Sequence, residues 1–256
     1  MASAPVTTQI ATSDESSITI RGHDLVNEVM GKYSFTEFMY FLICHRFPTK
    51  DQARILDACL VTLMEHGLTP TAVVTRLIAD NVPGETQVAM AAGLLAVGSV
   101  FVGTMEGCGG ILKRGIDRGG DLDAYCRDTV ADFRARKKAM PGFGHPIHKP
   151  EDPRPPRLFQ IAAECKVDGK YIALLKKMSA ELDRQAGRHL TINATGAIAA
   201  LLLEIGLPPE IMRAVAVVSR AGGLPGHILE EHATHSGRHI WHVAEDSIPY
   251  EAPKEE

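Results

Sequence analysis

The chain has 256 residues, of which 45% are hydrophobic, 23% charged and only 5% aromatic, and its formal net charge is −4. That length carries one or two domains, and a core short of aromatics must be built from Ala, Leu, Ile, Val and Met, which favours helices over sheets. A mildly acidic chain sets up no broad field that attracts nucleic acid or an anionic membrane, so neither is expected as a partner.

The N-terminal stretch MASAPVTTQIATSDESS is polar and lacks an apolar signal core, so residues 1–17 are expected to be disordered. A short extended segment follows over 17–22, then an amphipathic helix over 23–32. Ser34 and Glu37 form a capping box that opens a helix over 35–44. Thr49 caps the next helix, with Ala53, Leu56, Leu60 and Leu63 at helical spacing and Gly67 and Pro70 past its end. A short helix over 70–80 and a turn at Pro83-Gly84 lead into the least polar stretch, 88–102. That stretch is shorter than a membrane span and crowded with Gly, Ala and Ser, so it is expected to belong to a buried helix over 85–102. A more charged region begins near Lys113, and the Gly/Pro-rich loop 141–156 cannot be helical throughout. Helices are expected again at 157–166, 169–187, 194–205 and 210–220, with an extended tail over 246–256. No strand pairs stand out. The cysteines, five in number, are scattered with no CxxC pair, which fits reduced thiols in a cytoplasmic protein.

Several segments resemble the citrate synthase family, especially its short citryl-CoA lyase-like branch. The strongest is PGFGHPIHKPEDPR at 141–154, similar to the family signature PGxGHxxxxxxDPR. ITIRGHDL, MEHGLTP, NATGAIAALLLEIGLP and VVSRAGGLPGHILEE match in order along residues 17–240. The resemblance implies an all-α, two-domain citrate synthase-like fold in a homodimer. The large domain would comprise residues 18–111 and 207–256 and the small domain residues 112–206, with a cleft between them. It also implies an enzyme that makes or cleaves a C–C bond between an acyl-CoA, such as acetyl-CoA, and a 2-oxo acid. The CoA thioester is then substrate, and no prosthetic group is needed.

By the same resemblance His145 binds and protonates the oxo-acid carbonyl, or takes the alcohol proton in reverse, a task suited to imidazole near neutral pH. Pro141, Gly142, Phe143 and Gly144 form the loop that faces CoA, its glycines allowing close backbone approach, and Lys149 lies where a basic residue contacts a CoA phosphate. Arg154 and Arg220 match carboxylate-binding arginines, and His66 matches a substrate-binding histidine. Their alternatives are an Arg154–Asp152 pair, a charge at a helix end for Arg220, and a helix C-terminal histidine at 66.

Two positions depart from the family pattern. Glu106 stands where synthases carry the enolate-stabilising histidine, and Thr195 where they carry the aspartate base. An inverted arrangement would make Glu106 the base and Thr195 or Asn193 the enolate donor; otherwise Glu106 is structural. The run SGRHIWHVAED replaces a usual Arg-Pro pair, so a substrate with one fewer carboxylate, or a bulkier group beside Trp241, is expected. An acyl-CoA thioester hydrolase and a non-catalytic CoA-binding homologue remain as alternatives. His227, His232, His235, His239 and His242 cluster near the C-terminus, but no Cys or carboxylate completes an obvious ligand set, and no metal is expected. PGFGH lacks the GK(S/T) of a phosphate loop, and no GxGxxG supports a nicotinamide cofactor.

Overall fold

A computed structural model describes residues 6–98, 103–167 and 169–253. The described chain is mainly helical, as the sequence implies. Its helices are α1 (Phe35–Cys44), α2 (Lys50–Met64), α3 (Pro70–Asn81), α4 (Thr86–Leu95), α5 (Gly103–Arg118) and α6 (Leu122–Ala135). They continue as α7 (Arg154–Glu164), α8 (Lys170–Ala186), α9 (Ala194–Glu204), α10 (Met212–Thr234) and α11 (Ser236–Ser247).

Local chemistry sets the early boundaries. Ser34 accepts from the Glu37 N–H while Glu37 reaches back to the Ser34 N–H, and Thr49 and Gln52 repeat that reciprocal box at α2. α8 starts at a glycine with no side-chain cap of its own. Glu204, at the end of α9, supplies one from outside by accepting from Tyr171 N at 2.6 Å and Ile172 N at 3.1 Å.

α9 lies at the centre. Ala194 and every residue from Gly196 to Leu203 are buried, so the helix is enclosed on all sides. It packs against α5, α7, α8 and α2, and its alanines let those neighbours approach closely. One buried cluster runs from Tyr40 through Leu56, Met105, Leu112, Ile172, Met178 and Leu201 to Ala216. α10 crosses α2, α3 and α4, and α11 lies on α3.

Four sequence expectations change. Within the stretch expected to be disordered, strand β1 (Ala11–Ser13) pairs antiparallel with β2 (Ile18–Ile20), which pairs with β3 (His23–Asp24). Asp14 closes the first turn by accepting from the Ser16 and Ser17 N–H groups, both at 2.8 Å. The helix expected over 23–32 shrinks to one π-helical turn, Leu25–Val29, because Asp24 caps Val26 N and Asn27 N there. The apolar helix expected over 85–102 is described only as Thr86–Leu95, and 99–102 lie outside the described residues. Its Val88 and Leu95 are exposed rather than buried. Finally, α6 forms in the charged region and α10 continues well past 220, through Gly222, Gly223 and Pro225. Gly223 explains part of that run: a Cβ there would meet the Met64 carbonyl at 2.4 Å, so α2 ends directly against α10.

All five cysteines are free. Burial pushes the Cys108 thiol up to about 12, and Cys59 is raised by the same cause. Only Cys44 is not fully buried, so a thiol reagent is expected to label at most one cysteine per native chain quickly. All five should react once the chain is unfolded, which a spectrophotometric thiol count checks.

Candidate functional site

Two chain segments converge on a cluster of histidines. His66 follows α2, and the loop before α7 supplies His145 and His148. The His145 and His148 rings stack with centroids 4.4 Å apart, and His66 lies edge-on to His148 at 5.6 Å. His66 Nε2 and His148 Nε2 are 3.3 Å apart. His148 is the site residue that sequence reasoning passed over. Its only signal was a His-x-x-His spacing in a loop, where no helical period argues for a shared face.

His145 has a defined tautomer. Its Nδ1 accepts from Ile147 N at 3.1 Å and His148 N at 3.0 Å, so in the neutral ring Nε2 carries the proton. Desolvation, followed by His148 and Arg154, holds its pKa below the ordinary histidine value and favours that neutral form. Arg154 Nη2 stands 3.3 Å from His145 Nε2. Both groups are donors, so neither satisfies the other, and an oxygen acceptor beside them would complement the pair. This suits protonation of a carbonyl. It does not suit His145 as acceptor of an alcohol proton, because its remaining lone pair is engaged.

Arg154 also makes the alternative contact that the sequence offered. Its Nε and Nη2 grip the two carboxylate oxygens of buried Asp152 at 2.9 and 2.7 Å. Asp152 further accepts from Arg154 N and Ala194 N, and these bonds outweigh desolvation to keep its pKa low. Asp152 thus anchors the arginine while the rest of the fork faces the histidines.

Arg220, on α10, is largely buried, and its Nη1 has no hydrogen-bond partner among the described residues. Its closest carboxylate contact is Glu65 Oε2 at 3.9 Å. A buried guanidinium short of partners is costly unless an anion completes it. Glu65 fixes the turn that carries His66, accepting from His66 N at 2.8 Å and from Gly67 N. His227 Nε2 donates to the other Glu65 oxygen at 2.8 Å, and Arg76 Nε donates to His227 Nδ1 at 3.0 Å.

The 141–144 loop sits on the N-terminus of α9. Gly144 N donates to Thr191 O, Asn193 N to Gly142 O, and Asn193 Nδ2 to Gly144 O. The freedom of Gly142, at φ +89°, serves packing within the protein: a Cβ would lie 2.7 Å from Cys108 Sγ and 3.0 Å from Gly196 Cα. Gly144, at φ +75°, has open space instead, as a residue approached by a ligand requires. Phe143 is half-buried and bridges to Ile192, while Pro141 packs over Gly107 of α5. Lys149 is exposed.

The residues assigned to inverted chemistry are occupied elsewhere. Glu106 Oε2 pairs with Arg213 Nη2 at 2.5 Å, linking α5 to α10. The Thr195 hydroxyl donates to Asn193 Oδ1 at 2.7 Å, which leaves Thr195 the acceptor from Thr104, 3.0 Å away. Asn193 Oδ1 also caps α9 by accepting from Gly196 N. A hydroxyl whose proton is spent cannot donate to an enolate. Thr195 thus has no free proton to offer, and Glu106 has a cation beside it.

Among the described residues, one group of three or more His, Cys, Asp and Glu is spaced to hold a metal ion. It is His66, His145 and His148, whose ring nitrogens lie within 4.8 Å of one another. The donor set does not fit a cation: His145 presents N–H rather than a lone pair, and a guanidinium stands beside it. The C-terminal histidines disperse instead, His227 to Glu65 and Arg76, His235 to Asp80, and His242 against Trp241. Trp241 is 59% exposed on α11 and makes no ring contact with the histidine cluster.

A mainly helical chain thus brings His66, His145, His148 and Arg154 together where the end of α2 meets the loop before α7. Residues 44–242 match the model of the citrate synthase C-terminal domain, and the chain belongs to the citrate synthase family. Among solved structures it is similar to the citryl-CoA lyase of Hydrogenobacter thermophilus, at 30% identity and TM-score 0.82, covering 90% of this chain and 88% of that one. An ATP citrate lyase from Methanothrix soehngenii, solved in complex with citrate and coenzyme A, shares the fold at 19% identity and TM-score 0.78. That match covers all of this chain and 43% of the other. A citrate synthase-like protein of Phoma sp. is 25% identical over 218 residues, 81% of this chain. The chain spans about half the length of the curated relatives it matches, 45% and 49% for the first two. No helix among the described residues is long and apolar enough to cross a membrane.

Proposed function

We propose that this protein forms or cleaves the C–C bond between an acyl-CoA and a 2-oxo acid, in the manner of a citryl-CoA lyase. The observation that carries this reading is the pair of donors, His145 Nε2–H and Arg154 Nη2, 3.3 Å apart. They hold the oxygen of the oxo-acid end, with Arg220 taking a carboxylate and His66 beside them. The 141–144 loop and Lys149 face the CoA moiety. Residues 18–111 and 207–256 form the large lobe and 112–206 the small one, and a second copy of the chain completes a dimer. The likeness to citryl-CoA lyase over nearly the whole of both chains supports cleavage over synthesis.

Product analysis with citryl-CoA tests the proposal. Acetyl-CoA and oxaloacetate in equal amounts are the expected products, whereas free CoA with intact citrate would mean hydrolysis. The second reading is a non-catalytic CoA-binding homologue, favoured by the committed partners of Glu106, Thr195 and Asn193. It gives thermal stabilisation by CoA with no turnover.

The Glu106–Arg213 pair is partly exposed and serves structure, so E106Q should cost no more than about 1 kcal/mol of stability. Its turnover should change less than tenfold. A base contributes about 10²–10⁴-fold, so a loss of that size would reinstate Glu106 as the proton acceptor.

A further inference from the structure

We propose that His189 is a positioning residue, a two-armed cation that clasps Glu151 to Asp183 and thereby seats Asp152 and Arg154 beside the histidine cluster. Its effect on ligand binding rests on the reading of Arg154 above as a group that holds the acid; the clasp itself does not.

The loop that carries His145 and His148 is pinned at both ends by one segment, 189–193, which follows α8 and leads into α9. At the first end the bonds run between main chains: Gly144 N donates to Thr191 O at 2.7 Å and Asn193 N to Gly142 O at 3.0 Å. At the second end side chains take over. Asp152 N donates to Thr191 Oγ1 at 3.0 Å. The buried Thr191 hydroxyl has one proton and two acceptors in reach, Glu151 Oε2 at 2.9 Å and Ile192 O at 3.1 Å. The placement of Glu151 therefore decides how that hydroxyl is turned toward Asp152.

Glu151 is itself exposed, and its other oxygen, Oε1, lies 2.8 Å from His189 Nε2. The opposite ring nitrogen, Nδ1, lies 2.5 Å from Asp183 Oδ2. Asp183 belongs to the last turn of α8, and its Oδ1 accepts from Leu190 N at 2.8 Å. It is the fixed jaw of the clasp, and Glu151 is the movable one.

The charge on the ring follows from this geometry. An ionised carboxylate only accepts, so both ring nitrogens must donate, and only the imidazolium has two N–H groups. A neutral ring serves one carboxylate and turns a lone pair toward the other. The groups that face it are acidic on both sides, Asp183 from α8 and Glu151 from the loop. The hydrogen bond to Asp183, followed by the charges of Asp183 and Glu151, holds the His189 pKa above the ordinary value against some desolvation. The clasp is thus complete below about pH 6.5, the ordinary histidine value, and opens as pH rises through the higher folded value. His145 is shifted the other way and stays neutral over that range, so it is not the source of a loss on the alkaline side.

The clasp reaches the site through Asp152, the next residue after Glu151. Asp152 grips Arg154 Nε and Nη2, and Arg154 Nη2 stands 3.3 Å from His145 Nε2. A fork seated for a smaller fraction of the time binds its ligand more weakly by the same fraction.

Hydrogen exchange of the peptide over 144–154, corrected for the intrinsic rate, tests the clasp at about pH 6 and about pH 9, either side of the histidine midpoint. Exposed ion pairs are weak, so the expected factor is about two to five. Wild-type protection should fall by that factor as pH rises. H189Q, whose amide donates to only one carboxylate, should show the loss already at the lower pH. H189R keeps a cation with several donors, so it should stay protected at both. Citrate affinity by calorimetry should follow the same pattern, and comparison with H189R cancels the titration of citrate itself. Bound acid reseats the fork, so kcat at saturating citryl-CoA should hold and the loss should fall on KM. Equal exchange in wild type and H189Q, or a pH dependence in H189R as steep as in wild type, overturns the proposal. So does exchange that follows the clasp while citrate affinity does not move. If none of the three proteins binds citrate, the reading of Arg154 as an acid-holding group fails, and the exchange result alone decides the clasp.

Discussion

Replacement of His145 by alanine is expected to lower kcat for citryl-CoA cleavage by about 10²–10³-fold, the range for a positioned hydrogen-bond donor at the reacting oxygen. The loss has two physical parts. Nε2–H disappears from beside Arg154, leaving the guanidinium as the remaining donor there. The loop also loses the acceptor that ties down Ile147 N and His148 N. H145N separates them, because a shorter amide oxygen can take the backbone bonds without reaching the substrate. It should retain the wild-type melting temperature within a few degrees and still lose activity. The pH profile follows from the direction of the shift. Burial, His148 and Arg154 depress the pKa of His145, so the neutral ring persists below the usual histidine midpoint. Activity should therefore hold through neutrality and fall only on the acid side, where protonation of Nδ1 displaces the two backbone donors. An H145A protein cleaving within tenfold of wild type would remove His145 from the chemistry.

Much of the helical framework is legible because its signals are local. Ser34 with Glu37 and Thr49 with Gln52 announce two helix starts, and the structure contains both boxes. The long α10 is not legible, because Gly222, Gly223 and Pro225 read as a break in any single-chain reckoning. Only the approach of Met64 makes a glycine necessary inside a helix there. The N-terminal hairpin is hidden for the opposite reason: its first strand is exposed throughout, and backbone bonds plus one Asp14 turn define it. At the site, the signature around His145 identifies the loop, but the roles of its glycines divide only in three dimensions. Gly142 is packed against Cys108 and Gly196, while Gly144 is open. Glu106 and Thr195 can be read as catalytic departures in sequence. Their partners, Arg213 and Asn193, are set by helix packing and a cap that no spacing reveals.

The largest stability effect should come from a residue far from the reacting atoms. Arg76 on α3 is 5% exposed and bonds His227, Glu230, Glu231 and Ser236 at once. Glu231 is completely buried, and it also accepts from Gly237 N at 2.6 Å and from Ser236. R76L would leave that carboxylate without its cation, a change that costs about 3–5 kcal/mol when one partner of a buried pair is removed. For a chain of this size that corresponds to a fall of roughly 6–20 °C in melting temperature. R76L/E231L should recover most of the loss, because the second substitution removes the uncompensated charge; a double variant as unstable as the sum of both single variants would contradict the buried-pair account. The pH dependence has a definite sign. Desolvation raises the Glu231 pKa, but the Gly237 N–H, Ser236 and Arg76 together hold it below the unfolded value. Its stabilisation is thus present above about pH 4.3, the ordinary glutamate value, and is lost as pH falls through the folded pKa. In R76L the acid-side loss should begin at higher pH. The variant also severs the line from Arg76 through His227 to Glu65, the residue that holds the His66 backbone. R76L should therefore weaken citrate binding at temperatures well below its melting point, where the rest of the fold is intact.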